Sequence, residues 1–127
     1  MNWLYVFLGG GLGSVVRYTL TRAENKYFLH VFPAATLVSN VAACFILGII
    51  TGYFLNTAKE NDTIRLFLAT GFCGGFSTFS TFTSETFMLW RKGEVMLASA
   101  NVLLSLILCF AALLAGVVLV RLVSKNF

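Results

Sequence analysis

Short polar clusters divide an otherwise apolar chain into four long stretches, and this division limits what the chain can fold into. The stretches are residues 3–21, 33–55, 63–90 and 95–121. A helix that crosses a membrane needs about 20 predominantly apolar residues, so each stretch is long enough to cross once. We therefore predict an all-α integral membrane protein whose 127 residues form a single transmembrane domain of four helices.

The composition points the same way and excludes several classes of function. The chain is 58% hydrophobic and 11% charged, whereas a soluble domain is about 45–50% apolar. The first stretch lacks a basic leading segment and has a glycine-rich centre followed by Arg17, so we expect it to stay in the mature chain rather than be cleaved as a signal peptide. No credible pair of nucleophile and base and no metal cluster is present in the sequence, so we expect neither an enzyme nor a nucleic-acid partner.

The cysteines and the single histidine have no spacing that indicates a site. Cys44, Cys73 and Cys109 all fall within predicted spans, so we expect small apolar packing residues rather than disulfides or a zinc site. His30 stands beside the start of the second span, where an interfacial or loop position is expected.

Basic residues are divided almost evenly between the two predicted sides of the membrane, four against five. One side holds Lys59, Arg65, Arg121 and Lys125, and the other holds Arg17, Arg22, Lys26, Arg91 and Lys92. Orientation follows an excess of Lys and Arg in the cytoplasmic loops, so a near balance predicts insertion in both orientations. Two oppositely oriented copies can then form an antiparallel dimer. The alternative is that a small bias, or the burial of Arg17, still sets one orientation.

Small residues recur every fourth position on the first two predicted helices. These stripes are Gly9, Gly13 and Arg17 on the first helix, and Asn40, Cys44, Gly48 and Gly52 on the second. Such stripes allow helix backbones to approach closely in lipid, and most of them serve only to pack helices.

The segment from Thr70 to Glu85 is unusually polar for a stretch at membrane depth. It holds the pair Gly74-Gly75, followed directly by Ser and Thr, a sequence that can end one half-helix and cap the next. We therefore predict that the third helix is broken near Gly74-Gly75, with unpaired carbonyls and amides side by side. The alternative is a merely flexible or closely packed helix.

Helical geometry sorts the side chains after this break into two faces. Phe79, Phe82 and Thr86 share one face, and Ser77, Ser80, Thr81 and Ser84 share roughly the opposite one. Aromatic rings carry positive edges, so rings presented edge-on can stabilise an anion. They bind it more weakly than a Lys or Arg does, and conduction requires that weakness.

Hydrogen-bond donors on two neighbouring helices continue this polar pattern. They are Thr36 and Asn40 on the second helix, and Asn101, Ser105 and Cys109, spaced by four, on the fourth. Each alone is most simply an interhelical hydrogen bond, but together they indicate a path for a small anion or polar solute. Arg17 is placed to form an electropositive mouth or to snorkel to the interface. For Glu85 we expect a structural role, paired with Arg17 or Arg91 or bonded to hydroxyls of its own helix, or else a titrating one.

Three motifs resemble those of a known family. The run GFCGGFSTFSTFTSE from Gly71 to Glu85 resembles the signature of the Fluc (CrcB-like) fluoride channels of microbes. The runs GGLGSVVRY from Gly10 to Tyr18 and TLVSN from Thr36 to Asn40 resemble that family's first- and second-helix motifs in the same order. The resemblance covers essentially the whole chain.

This resemblance implies an antiparallel, dual-topology homodimer in the bilayer of a bacterial inner membrane. Its two pores would export fluoride passively and relieve fluoride toxicity. By similarity, Phe79 and Phe82 would be the pore-lining rings, with Asn40 as the pore amide. Ser105 would lie on the polar track with Thr36 among the pore-lining residues, and Arg17 would lie near the pore mouth.

The resemblance also implies a cofactor and a set of supporting polar residues. The backbone carbonyls of Gly74 and Ser77 would bind a structural sodium ion at the dimer centre, where the family more commonly has threonine at the second position. The polar residues assigned supporting roles are Ser80, Thr81, Ser84, Glu85 and Asn101. This chain differs from some relatives in having Asn101 and Cys109 on the polar track of the fourth helix.

Two other functions fit parts of the pattern. A small proton-coupled multidrug exporter also has four helices, and it would need Glu85 as its membrane-embedded acid. A scaffold subunit would explain the stripes of small residues but not the hydroxyl-rich broken helix.

Overall fold

The computed structural model describes residues 1–27, 32–56 and 62–125. His30 and Lys59, which the sequence placed at an interface and in a loop, lie outside these ranges, as does the side chain of Lys125.

The described chain is helical wherever it has regular secondary structure. The elements are α1 (Asn2–Tyr27), α2 (Ala34–Asn56), α3 (Asp62–Ile64), a π-helical segment (Arg65–Cys73), α4 (Gly74–Phe76), α5 (Phe79–Arg91) and α6 (Val95–Lys125). The prediction of four helical stretches is confirmed. The third stretch consists of two halves: α3, the π-helical segment and α4 form the first half without a gap, and α5 is the second half.

The third stretch is broken, but later than the sequence predicted. The expected site was Gly74-Gly75, yet Gly74 is helical, with φ −64° and ψ −37°. The chain becomes extended only at Ser77, with ψ 157°, and at Thr78, with φ −154° and ψ 117°. The break therefore lies between Phe76 and Phe79.

Helix packing explains why the glycines stay helical. A Cβ on Gly75 would collide with the backbone of Gly10, so this glycine permits close approach to α1 rather than a bend. The residue that starts the second half is Thr78, whose Oγ1 accepts a hydrogen bond from the backbone N of Thr81 at 3.2 Å. A threonine at the N-cap satisfies one of the backbone donors that a new helix leaves unpaired.

The π-helical segment and α4 pack against α1 as a parallel pair. A Cβ on Gly9 would lie 3.0 Å from the backbone N of Phe72, and a Cβ on Gly13 would lie 2.7 Å from that of Phe76. A step of four residues along α1 thus matches a step of four along its partner in the same direction. We call this contact the α1 seam.

Helices α2 and α6 form a second parallel pair. A Cβ on Gly48 would lie 3.1 Å from the Cα of Leu113, and a Cβ on Gly52 would lie 3.1 Å from the Cα of Val117. The partner residue therefore lies 65 positions later in the chain at both contacts. We call this contact the α2/α6 seam. Both stripes of small residues that the sequence suggested are thus sites of close backbone approach.

The chain buries polar side chains and exposes apolar ones, which is the pattern of a protein surrounded by lipid. On α6, Asn101 is 1% exposed, whereas Leu106 is 63% and Phe110 is 67% exposed. Within the described residues, two helical segments, Ala34–Leu55 and Val95–Ser124, are long and apolar enough to cross a membrane. The other two predicted spans are not in this set, because α1 is rich in glycine and charged residues and the third stretch is divided.

Candidate functional site

A cavity of about 260 Å³ lies beside the break in the third stretch and opens along the α2/α6 seam. Its lining residues are Asn40, Cys44, Ser77, Thr78, Phe79, Phe82, Ser105, Leu106 and Cys109. The structure thus brings together four of the five side chains that were predicted to line a pore: Asn40, Phe79, Phe82 and Ser105. We call this space the break cavity.

Asn40 holds the break open. The backbone N of Thr78 donates to Asn40 Oδ1 at 2.7 Å, and Asn40 Nδ2 donates to the carbonyl oxygen of Thr78 at 3.3 Å. One side-chain amide therefore bonds to both backbone groups of the extended residue that caps α5. An asparagine amide has two N–H donors, and the second is available to the cavity.

The two phenylalanines of the cavity stand close together at the start of α5. The ring centroids of Phe79 and Phe82 are 5.6 Å apart, and the ring planes are tilted by 40°. Phe79 is 78% exposed in the single chain, whereas Phe82 is half-buried. The rings form one wall of the cavity, and their edges carry partial positive charge.

Ser105 supplies a hydroxyl that has no partner among the residues that the structure describes. Its Oγ is buried and makes no hydrogen bond to any described residue, although the side chain lines the break cavity. A buried polar group without a partner costs about 1–3 kcal/mol, so such groups commonly mark the place of a ligand or water. Ser105 is therefore a donor available to something inside the cavity.

Thr36 lies outside the break cavity and links α2 to α5. Its Oγ1 donates to Oε1 of Glu85 at 2.8 Å. The other carboxylate oxygen of Glu85, Oε2, is buried without a hydrogen-bond partner among the described residues. The predicted pairing of Glu85 with hydroxyls of its own helix is wrong, because the donating hydroxyl belongs to α2.

Arg17 contacts the broken stretch rather than Glu85 or the break cavity. Its Nε donates to the carbonyl oxygen of Gly75 at 3.2 Å, and Ser14 Oγ donates to the same oxygen at 3.4 Å. These two bonds fix α1 to the end of α4. The predicted ion pair between Arg17 and Glu85 is not what the structure shows.

The hydroxyls around the start of α5 form a small local network. Thr78 Oγ1 donates to Thr81 Oγ1 at 3.0 Å and lies 3.3 Å from Ser80 Oγ. Ser84 is exposed in the single chain. Thr78 was missed as a site residue, although its position in the Ser-Thr pair before Phe79 is the capping signal that the sequence offered.

Asn101 supports the backbone behind Phe82. Its Nδ2 donates to Thr86 Oγ1 at 2.9 Å, and that hydroxyl donates to the carbonyl oxygen of Phe82 at 2.7 Å. Asn101 thus contacts the cavity only through other groups. The sequence placed Thr86 on the same helix face as the two rings, but no sequence pattern predicted its hydrogen bond with Asn101 of α6.

Two backbone carbonyls beside the break lack donors. Thr78 N, the usual helical donor to Gly74, bonds to Asn40 instead. No described residue donates a hydrogen bond to the carbonyl oxygen of Gly74 or of Ser77, and a Cβ on Gly74 would meet nothing within 4 Å. Unpaired carbonyls at the end of a half-helix are ligands that suit a small hard cation.

Residues 4–117 match the family described as "CrcB-like protein, Camphor Resistance (CrcB)". The chain belongs to the CrcB-like family. It is 38% identical over 117 residues to a protein of Flavobacterium psychrophilum named "Fluoride-specific ion channel FluC", covering 92% of this chain and 94% of that protein. Proteins with the same name from Rhodopseudomonas palustris and Pyrococcus abyssi are 39% identical over 124 residues and 42% identical over 118 residues.

These matches cover almost the full length of both chains. The Rhodopseudomonas palustris protein is covered completely, together with 98% of this chain, and the Pyrococcus abyssi protein is covered to 94%, with 93% of this chain. The predicted resemblance to the CrcB-like family is thereby confirmed. Family membership and the apolar helices together identify a membrane protein that is not an enzyme.

Proposed function

We propose that the protein is a fluoride-selective ion channel that exports fluoride passively from the cell and so relieves fluoride toxicity. The observation that carries this proposal is the break cavity, which is lined by Asn40, by Ser105 with a hydroxyl that no described residue bonds, and by the paired rings of Phe79 and Phe82. None of the described residues that line it is acidic or basic. Such a space stabilises an anion without binding it so tightly that it cannot leave.

The donors around the cavity suit a small anion in particular. Fluoride is compact and strongly hydrated, so a selective path must replace its water with short hydrogen bonds in a narrow space. Asn40 and Ser105 supply such donors, and the rings of Phe79 and Phe82 supply positive edges between them. Chloride is larger and accepts weaker hydrogen bonds, so it gains less from the same groups.

The names of the relatives support the same ion. Those three relatives, from two bacteria and an archaeon, are named fluoride-specific ion channels, and each matches over more than nine-tenths of its length. The motifs that carry the match include the segment that forms the break and the cavity wall. We assign the protein to the inner membrane of a bacterium as a multi-pass protein.

We further propose that two copies assemble as an antiparallel homodimer with two pores. The face of α5 beside the break exposes Phe79, Ser80, Thr83 and Ser84 in the single chain. The hydroxyls of Thr83 and Ser80 have partners within the chain, but a polar face beside a bare ring is better covered by protein than by lipid. A second copy in the opposite orientation supplies that cover and closes the wall beside Phe79, in agreement with the nearly balanced charges of the loops.

A sodium ion at the dimer centre fits the residues that are present. The carbonyls of Gly74 and Ser77 would hold it, since neither accepts a hydrogen bond from a described residue and no side chain covers Gly74. When bound, the ion supplies fixed positive charge between the two pores and links the broken helices of the two copies.

The remaining predicted residues take supporting positions. Arg17 fixes α4 to α1, and its guanidinium adds positive potential at the mouth of the pore. Thr36 and Glu85 join α2 to α5 beyond the cavity, so we assign the first to the end of the polar track and the second to a structural role.

Fluoride efflux from liposomes that contain the purified protein tests the proposed function. Valinomycin carries balancing potassium, and chloride-loaded liposomes serve as the control. We expect fast fluoride release that requires the ionophore, with chloride retained. A folded dimer that releases no fluoride would contradict the channel and direct attention to Glu85 and proton-coupled export.

A further inference from the structure

The break cavity contains a pair of thiols that the proposed function does not use. Cys44 on α2 and Cys109 on α6 both line the cavity, and each is partly exposed to it. Cys73 differs from both, because it is buried in the apolar core with Ala43 and Phe76 and does not line the cavity.

The register of the α2/α6 seam explains why the thiols meet. Gly48 packs on Leu113, and Gly52 packs on Val117, so the residues on this face of α2, spaced by four, lie level with residues 65 positions later. Cys44 lies one turn before Gly48, and Cys109 lies one turn before Leu113. The same offset of 65 joins the two cysteines, so parallel helices in close contact hold both sulfur atoms at one level.

We propose that Cys44 and Cys109 form a binding site for a thiophilic monovalent cation of the d10 class, such as Ag⁺ or Cu⁺, inside the break cavity. Thiolate sulfur is a soft ligand that selects such ions. Each sulfur that binds releases its proton to water, and the product is a linear S–metal–S complex with one net negative charge.

The surroundings favour this ion over the commoner divalent metals. Within the part of the chain that the structure describes, no group of three or more Cys, His, Asp or Glu side chains could hold a metal. Zinc prefers four ligands in a tetrahedron, which two thiols do not provide, whereas Ag⁺ and Cu⁺ accept two. The N–H of Asn40 and the unpartnered hydroxyl of Ser105 border the same cavity and stabilise the negative complex.

An occupied site blocks the path of fluoride. The metal and its two thiolates fill space beside Phe82 and Ser105, and their net negative charge repels an anion. This consequence rests on the proposed function, whereas binding of the metal does not.

Native mass spectrometry of the detergent-solubilised protein with silver nitrate tests the site directly. We expect one Ag⁺ per chain in the wild type and in Cys73→Ser, the matched control. Cys44→Ser and Cys109→Ser should each bind Ag⁺ roughly a hundredfold more weakly than the wild type. The thiol that remains in each variant has no second thiol beside it to bind the same ion. Equal binding by the wild type and the Cys44→Ser and Cys109→Ser variants would overturn the proposal.

Fluoride efflux from liposomes, with nitrate as the only other anion, tests the block. Each protein is compared with its own rate before silver is added. Silver should stop efflux by the wild type and by Cys73→Ser but should leave the double variant Cys44→Ser/Cys109→Ser at its own silver-free rate, and zinc should stop none of them. Efflux that continues with silver bound would contradict the block. If the protein binds silver but releases no fluoride even in the absence of silver, the metal site is supported and the channel is rejected.

Discussion

The α1 seam and the α2/α6 seam have the same geometry but different chemistry. Both are parallel contacts that advance by four residues on each helix, and both bring glycine against the backbone of a partner helix. The α1 seam packs closely at both Gly9 and Gly13. The α2/α6 seam packs closely at Gly48, Gly52 and Gly116, and it opens into the break cavity at Cys44.

The difference lies in which residue types occupy the repeated positions. Continuing the offset of 65 residues from Gly48 towards the start of α2 pairs polar side chains on the two helices. The pairs are Cys44 with Cys109, Asn40 with Ser105, and Thr36 with Asn101. A stripe of small residues therefore closes a seam where it is glycine, and it leaves a polar space where Asn40 and Cys44 face Ser105 and Cys109.

Asn40→Ala should have the largest effect, because it removes the group that maintains the polar end of the α2/α6 seam. The substitution removes both side-chain hydrogen bonds to the half-buried backbone of Thr78, the shorter of which, at 2.7 Å, is made by its N–H. We expect fluoride efflux to fall roughly a hundredfold, because a lost N–H donor to the ion raises its barrier by about 1.5–3 kcal/mol. Ser39→Ala is the control on the same helix, since Ser39 is fully buried beside the half-buried Asn40 but bonds only to Thr36 O. Equal losses in both variants would reject the special role of Asn40.

Gly13→Val tests the closed seam. A side chain on Gly13 collides with the backbone of Phe72 and approaches that of Phe76, so we expect a loss of roughly 1–3 kcal/mol or more in stability. Thermal unfolding in detergent, followed by circular dichroism, measures it. Gly11→Val is the control on the same helix, because a Cβ there meets nothing within 4 Å. An unchanged midpoint in Gly13→Val would show that α1 packs differently.

Ser105→Ala separates function from stability at the open seam. The hydroxyl has no partner among the described residues, so its removal should leave the thermal midpoint unchanged or raise it. Fluoride efflux should fall about tenfold, the value of one lost hydrogen bond to the ion. A parallel loss of stability and efflux would show that Ser105 bonds within the protein.

Asn101→Leu should have the smallest effect. The variant loses the bond to Thr86, worth about 1 kcal/mol, while the bond from Thr86 to Phe82 O remains. We expect a slightly lower thermal midpoint and a change in efflux of less than about fivefold. A complete loss of efflux with the fold intact would place Asn101 in the path itself.

The sequence predicted the helices and the members of the site better than their arrangement. Apolar length and polar clusters located all four stretches, and helical spacing placed Asn40 and Ser105 at one cavity. The break was predicted too early because a glycine pair can either end a helix or allow another helix to approach closely. The contact of Gly75 with Gly10 shows that the second use applies here. The partners of Arg17 and Glu85 join different helices, and such contacts leave no periodic signal within any one helix.

The most direct test of the central claim, that fluoride passes through the break cavity beside the phenylalanine rings, is fluoride efflux in Phe82→Leu beside Phe87→Leu. Leucine keeps the apolar bulk but lacks the positive ring edge, which is worth roughly 0.5–1.5 kcal/mol. Phe87 is half exposed on the same helix and does not line the cavity. We expect efflux to slow about tenfold in Phe82→Leu and to match the wild type in Phe87→Leu. Wild-type efflux in Phe82→Leu would contradict the claim.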